Sequence, residues 1–191
     1  MKWKDYSRII PKGSHALFAP SSVYWLGYDP EKVIEYYKSM KAKELGTRLH
    51  AHAAESILLR TPMSGKGTLA RYVNDAIKFG MDVETALYYS PYFYGTADSI
   101  SVDRKGNLRI HDLKTGIKHP GNMKQLQIYD ALYCLDYQVN PRDINHELRI
   151  YQWDDVIVDK PSPADIQEIM DKIQLFDKTI KDMDEGELRW T

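Results

Sequence analysis

Two aspartates and a lysine are spaced in this chain so that their side chains could meet at one end of a β-hairpin. Asp98 lies at the start of a stretch in which polar and apolar residues alternate, and Asp112 and Lys114 lie at the end of a second one. Such alternation is typical of half-buried strands. The segment between them, 103–107, has the Asp, Gly and Asn residues that favour a tight turn. The pattern predicts a hairpin with both aspartates at its open end.

The length of the loop sets the register of this hairpin. If Val102 faces Leu108, then Asp98 faces Asp112, and the Cβ atoms of directly opposed residues are only about 5 Å apart. Lys114 lies two residues beyond Asp112, so it projects from the same face of the strand. Two carboxylates at this separation repel each other unless a cation neutralises them.

A hard divalent cation would relieve that repulsion. Mg²⁺ and Mn²⁺ prefer oxygen ligands and keep several waters, which suits a site with few carboxylates. The backbone carbonyl of Leu113 could add another oxygen. The Lys114 ammonium could orient or deprotonate an attacking water and offset charge in the transition state. This chemistry is metal-dependent phosphodiester hydrolysis. An isolated Asp-x-Lys is more often an exposed surface pair, so the choice between these two interpretations depends on the neighbouring motifs.

Further polar residues lie on two predicted helices. Gln125 and Tyr129 are four residues apart and therefore share a helix face. His50 lies at the edge of the apolar stripe of an upstream helix, where it could reach the site. His52 points to a different side, and Glu55 is rotated by about 140° from His50. We therefore leave both outside the predicted metal site.

Together these motifs resemble the PD-(D/E)XK nuclease superfamily, and within it the RecB-like and phage-exonuclease branch that carries a glutamine–tyrosine motif. The resemblance spans roughly residues 50–129, and segment 19–22 is similar to the helix-opening segment of the phage members. One departure is Ala97, which stands where the motif has proline. The motifs that carry the resemblance are Gly-Thr-Ala-Asp at 95–98, Asp-Leu-Lys-Thr-Gly at 112–116, Gln-Leu-Gln-Ile-Tyr at 125–129 and Leu-Gly-Thr-Arg-Leu-His at 45–50.

The resemblance implies a DNA exonuclease of phage-type recombination, repair or processing, with Mg²⁺ or Mn²⁺ as cofactor. It implies metal binding by His50, Asp98 and Asp112, to which we add the Leu113 carbonyl. The implied catalytic set is Asp98, Asp112, Lys114, Gln125 and Tyr129. DNA is the expected partner. A phage single-strand annealing or binding protein and a second copy of the chain are further candidates, and no membrane is expected.

The formal net charge of −1 does not indicate a nucleic-acid-binding protein, because nucleic-acid-binding domains are usually strongly basic. A local basic groove would suffice, and its candidates are Lys66, Arg71, Lys118 and Lys124. Lys66 belongs to a glycine loop, 63–68, that lacks the full spacing of a phosphate-binding P-loop. We expect this loop to contact the DNA backbone rather than a nucleotide.

Cys134 is the single cysteine, which excludes disulfides, cysteine-ligated zinc and a four-cysteine iron–sulfur cluster. It lies in an apolar run and is expected to pack as a small hydrophobe. The sequence has no apolar run of about 18 residues and no signal-peptide core. We therefore expect a soluble protein of the cytoplasm, or of the host cytoplasm if the chain is phage-encoded.

The expected fold is an α/β restriction-endonuclease-like core, a mixed β-sheet flanked by α-helices. With 191 residues, of which 43% are hydrophobic, the chain suits one domain, 1–191. It includes an N-terminal segment, 1–28, and a C-terminal helix within 160–191. Glu84, on a predicted strand, is left out of the site. The apolar face of the C-terminal helix should comprise Ile166, Ile169, Met170, Ile173, Phe176, Ile180 and Met183.

Three other functions stay open at the sequence level. A catalytically inactive DNA-binding descendant of the nuclease fold would bind DNA without cutting it. A metal-dependent phosphatase or nucleotide hydrolase would act on mononucleotides and ignore polymer. A structural or assembly protein would show neither metal affinity nor activity.

Overall fold

The computed structural model describes residues 5, 8–9, 15–116 and 121–187. These fall into two compact units, 1–44 and 45–191. None of the helices in the described part of the chain combines the length and the apolar composition that a membrane span requires.

The first unit contains a short 3-10 helix, Val23–Gly27, and the start of a long α-helix. The short helix follows Ser22 as predicted, although the Ser22 side chain makes no capping hydrogen bond. The Trp25 indole donates to the Ala19 carbonyl at 3.1 Å. The Phe18 ring packs against both the Trp25 and the Tyr36 rings, with centroids 6.0 and 5.9 Å apart.

Helix α1, Pro30–Leu58, begins where the sequence predicts. Proline suits the first helical position, and the Asp29 carboxylate accepts from the Lys32 backbone amide at 2.7 Å. The sequence left open whether this helix breaks near Gly46, and the structure shows that it does not. The helix is followed by Arg60 in a left-handed conformation, with φ of 53°.

Helix α2, Thr68–Lys78, is capped by a residue distant in sequence. The Asp154 carboxylate accepts from the Thr68 backbone amide at 2.8 Å and from its hydroxyl at 3.0 Å. The Asp154 carbonyl in turn accepts from Arg71 at 3.0 Å. The carboxylate satisfies an otherwise unpaired helix donor and complements the helix dipole. Gly80, with φ of 63°, follows the helix as predicted.

Five strands form one mixed sheet in the order β1-β2-β3-β4-β5, which confirms the predicted α/β class. β1, β2 and β3 are antiparallel, β3 and β4 are parallel, and β5 is antiparallel to β4. Helix α3 connects the two parallel strands, and α4 follows β5. The bounds are β1 Asp82–Ser90, β2 Phe93–Val102, β3 Asn107–Leu113, α3 Gly121–Asp136, β4 Asn145–Gln152, β5 Asp155–Asp159 and α4 Pro163–Glu187, with a 3-10 turn at Pro141–Asp143.

The β2–β3 hairpin has the predicted register. Val102 pairs with Leu108, and Ile100 pairs with Ile110. Hydrogen bonds to the Asp103 carboxylate, led by those of the Asn107 side chain and amide, fix the turn and hold the pKa of Asp103 well below its usual range. Within this turn Gly106 adopts a φ of 74°, which glycine allows without strain.

Two clusters of buried side chains pack against the sheet. The larger one includes Leu108, Ile110 and Leu126, and it also contains Cys134, which is 1% exposed and packs as predicted. Burial raises the pKa of the Cys134 thiol to about 12. The second cluster joins α2 to β3 and β4 and includes Leu113. Alternate residues of β3 thus enter different clusters, as a strand covered on both faces requires.

One sequence prediction needs correction, and one element, the short edge strand β5, was not predicted. The apolar face of α4 is buried through Ile173, but Phe176 and Met183 are 54% and 60% exposed. Asp177, the residue after Phe176, is only 4% exposed, and Ile180 is partly buried. The buried side of α4 therefore continues through Asp177 and Ile180, and Phe176 and Met183 lie outside it.

The Asp154 cap leads to a stability prediction. Asp154→Ala should lower the free energy of unfolding by about 1–2 kcal/mol, because α2 loses its capping acceptor and alanine is strained at a φ of 56°. Asp154→Asn keeps an acceptor and tolerates this conformation, so it should lose less. Urea denaturation followed by circular dichroism measures both variants. Equal stability of Asp154→Ala and the wild type would contradict the capping role.

Candidate functional site

Lys114 is the centre of a hydrogen-bonded network between β3 and α3. Its ammonium donates to Asp112 Oδ1 at 2.9 Å and to Gln125 Oε1 at 3.0 Å. The Gln125 amide donates onward to the Tyr129 hydroxyl at 3.4 Å. Gln125 and Tyr129 are one helical turn apart on α3 and share a face, as predicted. The structure thus brings four of the predicted catalytic residues into one chain of contacts.

Asp98 and His50 form a second pair next to this network. Nδ1 of His50, on α1, lies 3.2 Å from Asp98 Oδ2, and the same oxygen accepts from the Leu113 amide at 3.1 Å. The pairing of β2 with β3 runs from Val102 with Leu108 to Ser99 with His111, one residue before Asp98 and Asp112. All predicted metal-binding residues therefore lie in one region.

Asp112 is buried, with only 4% of its surface exposed. Burial, and next the charge of Asp98, raise its pKa to about 6, although Lys114 and His50 act in the opposite direction. Its second oxygen, Oδ2, is buried and has no hydrogen-bond partner among the described residues. An unsatisfied carboxylate oxygen in the protein interior is costly unless a cation or donor compensates it.

The pKa of His50 is raised above its ordinary value, chiefly by its hydrogen bond to Asp98. Its partial burial opposes this shift, and the charges of Asp98 and Asp112 add to it. The neighbouring carboxylates therefore favour the protonated form of the imidazole. A metal ion at His50 would have to displace that proton.

Two motif glycines allow close packing in the site. A Cβ at Gly95 would lie 2.8 Å from the Tyr129 ring, and a Cβ at Gly46 would lie 2.8 Å from the Thr115 hydroxyl. Both distances are shorter than van der Waals contact. Glycine at these two positions therefore lets Tyr129 lie against β2 and lets the segment after Lys114 lie against α1.

A cleft of about 610 Å³ adjoins the His50–Asp98 pair. It also contains Glu84, which the sequence analysis left out of the site. The register of β1 and β2, in which Val83 pairs with Ser99 and Thr85 with Ala97, places Glu84 opposite Asp98. Glu84 also has a φ of 48°, which is rare for a residue of a strand. Its sequence signal was only an acidic residue in an otherwise ordinary strand. The cleft is lined by Gly46, Thr47, His50, Ala51, Ala54, Glu84 and Asp98.

The side chains are not gathered around one point as a closed metal site would be. Across the described residues, no three His, Cys, Asp or Glu side chains are close enough together to hold one ion. Asp112 contacts Lys114, and Asp98 contacts His50. The carboxylate donors nevertheless suit Mn²⁺ or Mg²⁺, and the unsatisfied Asp112 Oδ2 could accept such a cation. The carboxylates therefore fit a divalent ion by type.

Three of the four residues predicted to form a basic groove lie in the described part of the chain. Lys66 is exposed before α2, and Arg71 binds the Asp154 carbonyl. Lys124 lies near the start of α4, where it contributes, after the hydrogen bonds of Ser162, to the lowered pKa of Asp165. Lys118 lies outside the described residues.

No family model, no curated protein and no solved structure matches the chain. Its function is therefore inferred from its own side chains and their geometry.

The burial of Asp112 leads to a pH-dependent stability prediction for the metal-free protein. A folded pKa of about 6, above the ordinary value of 3.8, means that protonated Asp112 favours folding below pH 4 and that this contribution is lost as the pH rises through 6. The free energy of unfolding of Asp112→Asn, relative to that of the wild type, should therefore be about 2 kcal/mol higher at pH 8 than at pH 4.

Urea denaturation of both proteins in EDTA, at pH 4 and pH 8, measures this difference. If Asp112→Asn and the wild type differed in free energy of unfolding by the same amount at pH 4 and at pH 8, burial of the Asp112 charge would not destabilise the protein.

Proposed function

We propose that this chain is a divalent-metal-dependent deoxyribonuclease of the PD-(D/E)XK superfamily, with a restriction-endonuclease-like core. The observation that carries the proposal is the contact network of Asp112, Lys114, Gln125 and Tyr129 beside the His50–Asp98 pair. An exposed Asp-x-Lys pair would not need a buried aspartate or a glutamine partner for its lysine. The resemblance of the motifs favours exonuclease action in phage-type recombination, repair or processing of DNA.

A divalent ion in this site would be held by His50, Asp98 and Asp112, with the Leu113 carbonyl as a further oxygen ligand. When bound, the ion would neutralise charge on the scissile phosphate and lower the pKa of a water molecule. The chain itself supplies two carboxylates that repel each other without a cation, and one of them has an unsatisfied oxygen. This electrostatic conflict supports the cofactor assignment.

Lys114 is the proposed catalytic cation. Its ammonium has three donors, and two of them are directed to Asp112 and Gln125. The third can donate to a phosphate oxygen or to the attacking water, where positive charge stabilises the transition state. Gln125 fixes the position of the ammonium, and Tyr129 in turn holds Gln125.

The scaffold is consistent with this assignment. Asp98 and Asp112 lie on neighbouring strands of one hairpin, and the connection through α3 places Gln125 and Tyr129 beside the end of β3. The cleft next to His50 and Asp98 is open and about 610 Å³ in volume, which leaves room for a nucleotide unit of a polymer. The same arrangement supports chemistry on phosphodiesters in general, so the substrate must be tested directly.

One prediction of the proposed function concerns catalysis. With Mn²⁺, the wild type should degrade linear DNA, and Lys114→Ala should lower the rate by about 10²–10⁴-fold, as expected for loss of a positioned acid–base group. Lys105→Ala is the matched control, because Lys105 lies in the turn at the far end of the same hairpin. Gel assays with linear, circular and single-stranded DNA, with Mn²⁺ or EDTA, measure both variants.

Two outcomes would replace the proposed function, and a third would change the proposed mechanism. DNA binding without metal-dependent cleavage would indicate an inactive binding module. Hydrolysis of mononucleotides with no action on polymer would indicate a phosphatase or nucleotide hydrolase. Equal rates for Lys114→Ala and the wild type would remove Lys114 from the mechanism.

Another prediction of the proposed function concerns binding of the metal ion. Isothermal titration of Mn²⁺ should give saturable binding to the wild type and a loss of at least 10-fold in affinity for Asp112→Ala, because a charged ligand is removed. Asp171→Ala, which removes a charge from the surface of α4, should bind as the wild type does. Unchanged affinity in Asp112→Ala would show that the ion is bound elsewhere.

A further inference from the structure

The outer face of the β1–β2 hairpin carries two exposed tyrosines directly opposite each other. Tyr88 pairs with Tyr94, and their side chains are 53% and 68% exposed. The rings are stacked, with centroids 6.3 Å apart and an interplanar angle of 26°. On the inner face, Leu87 and Ala97 are fully buried. The hairpin thus has a buried face toward the core and an aromatic pair on the other face.

Tyr88 and Tyr94 lie on the same face of the β1–β2 hairpin as Glu84 and Asp98, which line the cleft. The next pair along the ribbon, Ala86 with Thr96, is exposed and small, and the register then places Glu84 opposite Asp98. Side chains two residues apart on a strand point to the same side. The four-residue distance from Tyr94 to Asp98 corresponds to about 13 Å. One exposed pair with small side chains, Ala86 and Thr96, therefore lies between the cleft and the tyrosines.

Stacked, exposed tyrosine rings next to a phosphodiester-cleaving site suit one kind of ligand. Nucleobases stack on aromatic side chains regardless of sequence, and a separation of about 13 Å is the reach of a few nucleotides. The small residues Ala86 and Thr96 leave space above the ribbon for a strand to pass. A cross-strand aromatic pair also stabilises a hairpin, but that role does not require such high exposure beside the cleft.

We propose that Tyr88 and Tyr94 form a stacking platform for an unpaired base of the DNA strand whose scissile phosphate lies at Asp98, Asp112 and Lys114. This inference rests on the proposed nuclease function and adds a substrate contact to it. The platform requires a base that is free of its duplex partner at that position, so it favours single-stranded DNA or a frayed end. The contact positions substrate and takes no part in the chemical step.

Binding in EDTA tests the platform without cleavage. Fluorescence anisotropy with a labelled single-stranded oligonucleotide should show affinity about 10-fold or more weaker for Tyr88→Ala/Tyr94→Ala than for the wild type. The double phenylalanine variant should bind nearly as the wild type does, because it keeps the rings. Tyr137→Ala is the matched control, since Tyr137 is 57% exposed and stacks on Tyr133 at 4.8 Å elsewhere on the molecule.

Oligonucleotides with one abasic position, moved along the strand, identify the stacked base. At one position the abasic site should weaken binding to the wild type and leave the double alanine variant unaffected. In cleavage assays with Mn²⁺, the double alanine variant should raise KM with kcat nearly unchanged. Circular dichroism establishes that the variant is folded.

The outcomes separate this inference from the nuclease proposal. Cleavage by the wild type with unchanged affinity and KM in the double alanine variant overturns the platform alone. Base-dependent binding at the tyrosines by a protein that does not cleave supports the platform and overturns the nuclease proposal. A change of oligomeric mass in the double alanine variant, with DNA affinity unchanged, makes the pair a contact between copies of the chain and overturns the platform.

Discussion

The structure of the site depends on the burial of the Asp112 carboxylate. Desolvation alone would favour the neutral acid, and the neighbouring charge of Asp98 strengthens that preference. Lys114 compensates one carboxylate oxygen, and Gln125 and Tyr129 fix the lysine in turn. The second oxygen has no partner among the described residues. This buried oxygen without a partner is the physical basis for proposing a metal ion in the site.

The hairpin and the Lys114 network could be predicted because local rules determine them. Alternation of polar and apolar residues defines β2 and β3, and the turn around Asp103 and Gly106 sets their register. Once this register is known, Asp98 and Asp112 must be neighbours. The one-turn spacing of Gln125 and Tyr129 likewise fixes their shared face. In each case the residues that determine the geometry are close in sequence, so a pattern is sufficient.

The features that the sequence left open depend on packing between distant segments. At Gly46, inside helix α1, the Thr115 hydroxyl occupies the space that a Cβ would need, and Thr115 comes from a segment far along the chain. Glu84 enters the cleft through the register of β1 and β2 and through an unusual backbone conformation that its sequence does not signal. The edge strand β5 is short, and the buried side of α4 passes through Asp177 rather than through Phe176. Local periodicity contains no information on such contacts.

The positions of the site residues along the chain have a consequence for the order in which the molecule folds. The β2–β3 hairpin and helix α3 follow each other in the chain. The contacts among residues 98–129 therefore close only short loops and can form early. His50 comes from a helix separated from Asp98 by α2 and β1, and its contact closes a longer loop. The imidazole should therefore reach its place after the carboxylates and lysine are assembled, which makes the complete site a late event in folding.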